Sequence, residues 1–406
     1  MKFLKVTTFY PEYLAQFYGR NPTLAWSTYE RQWDSLMADG FGWADFFQRA
    51  LGAIGYEAGE LVINAEPMQR AWMAENGARL PDGAADRWRL EIAYEQVRRF
   101  DPEVLFLDDL PTFPADWIDR VRSTCRNVRL VLGWSGAPHA TDTVPKYDAL
   151  LSCVPEIVTE MRQLGAKVFH LNHAFEPAIL ERIDLGGPPT IDLSFVGNIV
   201  PGSRYHDERR RLLAAVAERF DLRFFSPVSP RSRRVTAKNA LKPVLRTVAA
   251  VLDRLPASEL RQAIPLPPAR SGRYDPVRQL SRKLNRRLHP PVFGLQMFQT
   301  LRDSRMTLNS HLGTSRRSAS NMRLFEATGV GTCLVTDRKD NLEELFSADG
   351  VVSYGSIEEC VEKIAYLQDH PAELTAIAKR GQERTLAVHT FDQRAAQLDE
   401  IIRGLR

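Results

Sequence analysis

No run of about 18 apolar residues occurs in the chain, so no segment reads as a membrane-spanning helix. The N-terminal stretch MKFLKVTTFYPEYL has no apolar core followed by a small-residue cleavage site, and reads as a first strand rather than a signal peptide. Cysteine is scarce. Cys125, Cys153, Cys333 and Cys360 are scattered with no C-x-x-C pair, which fits buried thiols in a reducing cytoplasm better than disulfides or zinc. No G-x-G-x-x-G follows the first strand, which disfavours a nicotinamide dehydrogenase. No Asp-x-Asp pair stands in a fitting loop, so no metal site is expected.

What is present is an ordinary globular composition, 44% hydrophobic and 26% charged over 406 residues. That length exceeds one ordinary core and suggests two domains of roughly 150–200 residues. In the first half, apolar runs at 2–9, 104–110, 128–134, 149–154 and 167–172 alternate with helical patterns at Ala44–Ile54, Ala85–Phe100, Ala115–Thr124 and Pro155–Leu164. Alternation at this spacing argues for βαβ units and a parallel sheet. A second series starts near residue 190, with strands at 191–198, 222–227, 305–311 and 332–337 and helices at 206–220 and 293–304. The Gly-Gly-Pro-Pro within 172–190 reads as the linker. The expected fold class is therefore α/β, with one domain over 1–185, completed by a C-terminal helix at 388–406, and another over 190–387.

Charge is unevenly spread. Residues 227–289 carry a net +12 in a chain whose total is +4, leaving −8 elsewhere. This basic insertion, 227–290, contains Leu241, Val244, Leu245, Val248, Val251, Leu252 and Leu255 at helical spacing, and a second basic helix is expected at Val277–Leu288. Either the apolar stripe docks on the protein while the arginines face water, or the segment 238–288 lies on an anionic membrane surface. Aromatic–basic interleaving is missing, so nucleic acid is not an expected partner.

The stretch TSRRSASNMRLFEATGVGTCLVTD, 314–337, concentrates the chemistry. Ser318 or Ser320 is a candidate N-cap, and Met322, Leu324 and Phe325 give the ensuing helix an inward face. Arg316 and Arg317 stand just ahead of it. A helix start beside arginine suits an anion, phosphate above all. Glu326, about two turns in, can accept two hydroxyls of a ribose or sugar diol. The alternative is a plain Ser-capped helix with one exposed glutamate.

These motifs (N-x-R-x-F-E at 321–326, the Gly-x-Gly-x-x-L-x-T-D turn and H-T-x-x-x-R at 389–394) resemble the C-terminal half of bacterial GT-B-fold glycosyltransferases over about 100 residues, 293–394. In particular they resemble the spore-maturation glycosyltransferase-like group common in lipopolysaccharide and surface-polysaccharide clusters. DLSFVGNI (192–199) and HLNHAFEP (170–177) resemble the family's domain entry and hinge. The resemblance implies two Rossmann-like domains facing a cleft, with a UDP-, GDP- or dTDP-sugar donor on the C-terminal one and no further cofactor. It implies Glu326 on the donor ribose, Asn321 and Arg323 shaping the pocket, and N–H groups near Ser318–Asn321 facing the diphosphate, with Arg317 and Ser320 beside them. Gly197 and Asn198 would let backbone approach phosphate, and Arg204 and Arg209 are further phosphate partners unless they belong to a solvated helix face. His389, Thr390 and Arg394 would mark the crossing of the last helix. Many retaining members carry an acidic residue eight positions before the ribose glutamate; Ser318 stands there, so the stereochemical course stays open.

Glycosyl transfer needs charge stabilisation on the leaving diphosphate and, when inverting, a base. Without a metal motif the positive charge would come from arginines and helix N-termini. Asp109, His139 and Ser135 are candidate cleft residues at strand ends, with Asp109 and His139 favoured as base and Asp108, which points away from Asp109 in an extended chain, and Glu12 further candidates. Each is also readable as a plain loop residue. Phe9, Tyr10, Tyr13, Phe17, Tyr18, Trp26, Tyr29 and Trp33 can stack on acceptor sugars or form core. The leading expectation is a metal-independent, cytoplasmic glycosyltransferase, peripheral at the inner membrane face, acting on a glycan or lipid-linked acceptor. The competing one is a non-catalytic GT-B-like protein that binds a glycan or partner.

Overall fold

A computed structural model of the chain describes residues 1–81, 83, 85–136, 143–200, 203–230, 232–237, 241, 279–313 and 315–406. It divides into two compact units, Met1–Val196 with Val292–Arg406, and Gly197–Pro291. Two six-stranded sheets run through it.

The first sheet is built from β1 (Lys2–Thr7), β2 (Glu57–Val62), β3 (Val104–Leu107), β4 (Leu130–Trp134), β5 (Ala149–Ser152) and β6 (Val168–His170). Their order is β2-β1-β3-β4-β5-β6, and every neighbouring pair is parallel. The apolar runs of β3, β4 and β5 are buried along their length, as strands covered on both faces must be. Helices Phe46–Ala53, Glu66–Glu75, Trp88–Phe100, Ala115–Thr124 and Pro155–Gln163 supply the connections. On one face Val97, Trp117, Ile118 and Val121 pack against Leu105, Leu107 and Val131. Strand β2 and helices Pro11–Arg20, Tyr29–Ala38 and Glu66–Glu75 escape the sequence pattern.

The second sheet contains β7 (Ile191–Val196), β8 (Leu222–Phe225), β9 (Leu288–His289), β10 (Ser304–Leu308), β11 (Cys333–Asp337) and β12 (Val352–Tyr354), ordered β12-β11-β10-β7-β8-β9. Within the first unit β7, β10, β11 and β12 pair in parallel. Within the second, β8 pairs in parallel with β9, and Leu222, Phe224 and Leu284 are buried beside helix Asp207–Arg219.

The expected basic helix at Val277–Leu288 is shorter. Among its described residues only Arg282–Arg286 is helical, started by the Ser281 hydroxyl accepting from the Leu284 N–H at 3.2 Å, and Leu288–His289 is already strand. The apolar stripe Leu241–Leu255 lies outside the described residues, Leu241 apart.

In the first unit the segment after β6 is tied down. The Phe175 N–H donates to the His389 carbonyl at 2.8 Å, and the Phe391 N–H donates back to Phe175 at 3.2 Å. The Arg394 guanidinium reaches the carbonyls of Asn172 and His173. The last helix, Phe391–Leu405, then packs on Phe46–Ala53 through Phe391, Phe46 and Phe47. Two glycines mark close approaches along this route. A Cβ on Gly329 would sit 2.3 Å from the Phe175 ring, and one on Gly294, at φ +54°, 2.3 Å from the Asp39 carboxylate.

Candidate functional site

Parallel strands deliver their following loops to one edge of the sheet. At the C-terminal edge of β10 and β11 these loops are Asn309–Met322 and Arg338–Asn341. Asn309 and Asn321 are paired through their amides, at 2.8 Å from Asn321 Nδ2 to Asn309 Oδ1, and Asn309 also donates to the Thr336 hydroxyl at 2.9 Å. His311 anchors the loop. Its Nδ1 lies 2.7 Å from Asp337 Oδ1, and its backbone N–H donates to the same oxygen at 3.0 Å. Its Nε2 accepts the Ser320 N–H at 3.1 Å, which assigns the ring proton to Nδ1. Lys339 holds the other Asp337 oxygen at 3.0 Å. Burial would raise the Asp337 pKa, but the His311 and Lys339 contacts outweigh it and hold the carboxyl well below the usual range. The Ser–His–Asp grouping is no nucleophilic triad, because a backbone N–H, not a hydroxyl, meets Nε2.

The rest of the loop is closed by its neighbours. Ser315 Oγ donates to the Ser318 carbonyl at 2.6 Å and meets Ser320 Oγ at 2.8 Å. Asn341 clamps Ala319 from both sides, accepting its N–H at 2.6 Å and donating to its carbonyl at 3.1 Å. The Arg317 N–H donates to Glu156 Oε1 at 2.9 Å, and its guanidinium pairs with Asp340 at 2.8 Å.

Three expectations change here. The helix begins at Arg323, not at a serine cap, and runs to Gly329 with no side-chain cap at Met322. Ser318 and Ser320 are buried in loop, where internal partners outbid the helix. Of the N–H groups expected to face a diphosphate, those of Ala319 and Ser320 already donate to Asn341 and His311, and the preceding Arg317 N–H donates to Glu156. Glu326 stands in the first helical turn rather than two turns in. It is 6% exposed and pairs through Oε2 with Arg323 at 2.8 Å. Burial pushes its pKa up and Arg323 pulls it back. Arg323 in turn rests on Met297 of helix Gly294–Arg302. So Asn321, Arg323 and Glu326 are brought together, with Ser318, Ser320 and Arg317 on the preceding loop.

The first sheet's C-terminal edge carries a second polar group. Asp109 Oδ2 accepts the hydroxyls of Thr8 at 2.6 Å and Thr112 at 2.7 Å. Its neighbour Asp108 turns the other way to Lys5, 3.0 Å distant, and Lys5 also holds Glu60 at 2.6 Å. Lys5 is 1% exposed and lies 5.4 Å from the Trp43 ring centroid. Two buried carboxylates share one ammonium, so burial raises the Glu60 pKa to about 8 despite the pairing. Its Oε2 is buried with no hydrogen-bond partner. Ser135 is buried, its N–H donating to the Leu151 carbonyl at 2.8 Å. His139 lies outside the described residues. Among the aromatics of the N-terminal segment Phe9, Tyr13 and Phe17 are core, while Tyr10 and Trp26 are exposed at 64% and 91%.

Gly197, Asn198 and Arg204 belong to the second unit. The Gly197 N–H donates to the Phe225 carbonyl at 3.1 Å, the Asn198 carbonyl accepts from Arg209 at 3.0 Å, and Arg204 reaches the Tyr205 hydroxyl at 3.1 Å. Arg209 is thus buried rather than on a solvated helix face. Among the described residues no three His, Cys, Asp or Glu side chains gather as a metal site, and no helix is long and apolar enough to cross a membrane. Sequence reasoning missed Glu156, His311, Asp337 and Asn341. They come from distant segments, and only the strand-end position of His311 and Asp337 signalled them.

A family model described as glycosyl transferase-like matches residues 245–400. No curated protein sequence matches the chain. Among solved structures it is similar to Anabaena Alr3699/HepE in complex with UDP and glucose, at 9% identity over all of both chains with a TM-score of 0.56. Sucrose-phosphate synthase from Thermosynechococcus elongatus gives 9% identity over 100% of this chain and 99% of that one, TM-score 0.52. An α-glucosyltransferase in complex with UDP-glucose and abasic DNA gives 12% identity over 99% and 98%, TM-score 0.52. The fold is the GT-B fold of these structures, two parallel α/β sheets with flanking helices.

Proposed function

We propose that the chain is a glycosyltransferase that takes a sugar from a nucleotide-sugar donor held at the C-terminal edge of β10 and β11. The observation that carries this reading is Glu326. It is a buried carboxylate in the first turn of helix Arg323–Gly329, oriented by a single arginine and placed where the glycosyl transferase-like model matches. A carboxylate paired on one oxygen keeps lone pairs for two ribose hydroxyls. The UDP and UDP-glucose in the similar structures favour UDP first among UDP, GDP and dTDP. Arg323 and Arg317 supply positive charge toward the leaving diphosphate. Asp109, oriented by two threonine hydroxyls, is the candidate base; His139 remains the second.

The finer placement, in the spore-maturation glycosyltransferase-like group and in lipopolysaccharide or surface-polysaccharide synthesis, rests on the 293–394 motifs. A cytoplasmic enzyme at the inner membrane face rests on the charge of 238–288, and metal-independent transfer rests on the missing Asp-x-Asp. The loop N–H groups engaged with Glu156, Asn341 and His311 favour the competing reading, a non-catalytic GT-B-like binding protein. A thermal-shift series with UDP, GDP, dTDP, ADP and CMP, with and without EDTA, separates the two. One nucleotide should raise the melting temperature by mass action, insensitively to EDTA, and Glu326→Ala should remove the shift. No shift with any nucleotide would leave the binding-protein reading.

A further inference from the structure

Resting on the donor reading above, we infer that Glu156 is an internal stand-in for the donor phosphate, seated on the turn at Arg317–Ser318 until a nucleotide displaces it. Glu156 belongs to the first turn of helix Pro155–Gln163, after the first sheet, yet its carboxylate lies on the loop that follows β10. Oε1 takes the Arg317 N–H at 2.9 Å. Oε2 of the same carboxylate is buried with no hydrogen-bond partner, and the Ser318 hydroxyl and N–H favour its charged form from nearby. Burial would raise its pKa, but these donors outweigh burial and hold it below the usual range. Glu156 is therefore an anion at neutral pH, held through Oε1 by the Arg317 N–H with Ser318 beside it.

A backbone N–H and a neighbouring hydroxyl turned toward one carboxylate suit an anion of any kind, a small cradle at Arg317–Ser318. Carboxylate and phosphate oxygens use the same donors. The remainder of the loop is fixed by Asn341 and His311, so the cradle keeps its shape when its occupant changes. The Arg317 side chain adds a mobile cation, since its pair with Asp340 is exposed at both ends. A diphosphate entering the cradle must break the Glu156 contact and then sit near the displaced carboxylate. A nucleoside without phosphate meets neither obstacle. Glu156 would thus lower donor affinity selectively through the phosphates, while Glu326 acts on the ribose.

Isothermal titration of the full chain tests this with three probes: inorganic pyrophosphate, the nucleoside diphosphate that binds best, and its parent nucleoside. Glu156→Gln keeps an acceptor for the Arg317 N–H and removes the charge. It should tighten pyrophosphate and nucleoside diphosphate about tenfold, the equivalent of ~1.4 kcal/mol, and leave the nucleoside unchanged. Glu156→Asp should restore wild-type selectivity. Unchanged or weaker pyrophosphate binding by Glu156→Gln, at an unaltered melting temperature, would overturn the stand-in role. Glu326→Ala should weaken nucleoside and nucleoside diphosphate but not pyrophosphate. A pyrophosphate gain with no nucleoside diphosphate bound would keep the phosphate cradle and remove the donor reading.

Discussion

The C-terminal edges of the two sheets handle charge in opposite ways. At the first, Lys5 is sealed between Glu60 and Asp108 beneath Trp43, with the charged groups serving one another. At the second, His311, Asp337 and Asn341 direct their hydrogen bonds to backbone, holding a loop in one shape. The difference separates two uses of buried polarity. A closed cluster such as Lys5–Glu60–Asp108 fixes how β1, β2 and β3 meet. A side chain that holds backbone fixes where a ligand's partners stand. Glu326 and the Glu156 carboxylate lie at the second edge, which is why the donor site is proposed there.

The largest effect should come from breaking the closed cluster. Lys5→Met leaves Asp108 in the core without its counter-ion and Glu60 without its partner, which costs about 3–5 kcal/mol. Chemical denaturation should show that loss, or no folded protein. Asp337→Asn, at the second edge, removes the charge that His311 and Lys339 share but keeps an acceptor. It should cost about 1.5–3 kcal/mol and also weaken nucleotide binding in titration, because the loop loses its anchor. A stability loss with unchanged nucleotide affinity would put the ligand elsewhere.

A pH series sharpens the contrast. Glu60 has a folded pKa of about 8, above its ordinary 4.5. Its contribution to stability is therefore complete below about 4.5 and is lost as pH rises through 8. Glu60→Gln has no proton to lose and leaves Lys5 balanced by Asp108. Denaturation at pH 5, 7 and 9 should show the variant gaining on the wild type as pH rises. Asp337 has the opposite sign: its folded pKa is depressed, so its contribution is present above about 3.8 and lost at lower pH. Parallel slopes for wild type and Glu60→Gln would mean that Glu60 stays ionised throughout.

The alternation of β3, β4, β5, β10 and β11 with helices was legible because parallel strands covered on both faces must be apolar runs. Strand β2, EAGELV, was not, and the reason is the cluster itself. Glu60 replaces an apolar residue because Lys5 lies beside it in register. The Asn321–Glu326 motif was legible, but the helix start was not. Ser318 and Ser320 have the chemistry of caps, yet Ser315 and His311 hold them in the loop, and those partners declare themselves only in three dimensions. The 26-residue gap from His311 to Asp337 and the 161-residue gap from Glu156 to Arg317 carry no local signal.

The smallest expected effect on stability tests the second unit. Arg204 is exposed, and its described contacts are to Tyr205, the hydroxyl at 3.1 Å and the ring centroid at 5.1 Å. Arg204→Ala should therefore change stability by no more than about 0.5 kcal/mol. If Arg204 serves the donor phosphates, the same variant should weaken nucleoside diphosphate binding roughly tenfold, the scale of a lost charge-assisted hydrogen bond of ~1.5 kcal/mol, with the nucleoside untouched. Arg209→Ala is the contrasting control. Arg209 is buried and donates to the Asn198 carbonyl, so its loss should register in stability first. A variant that costs affinity without stability marks a residue turned toward the ligand, and one that costs both marks a residue holding the strand end in place. Equal nucleotide affinity for wild type and Arg204→Ala would remove Arg204 from the phosphate role.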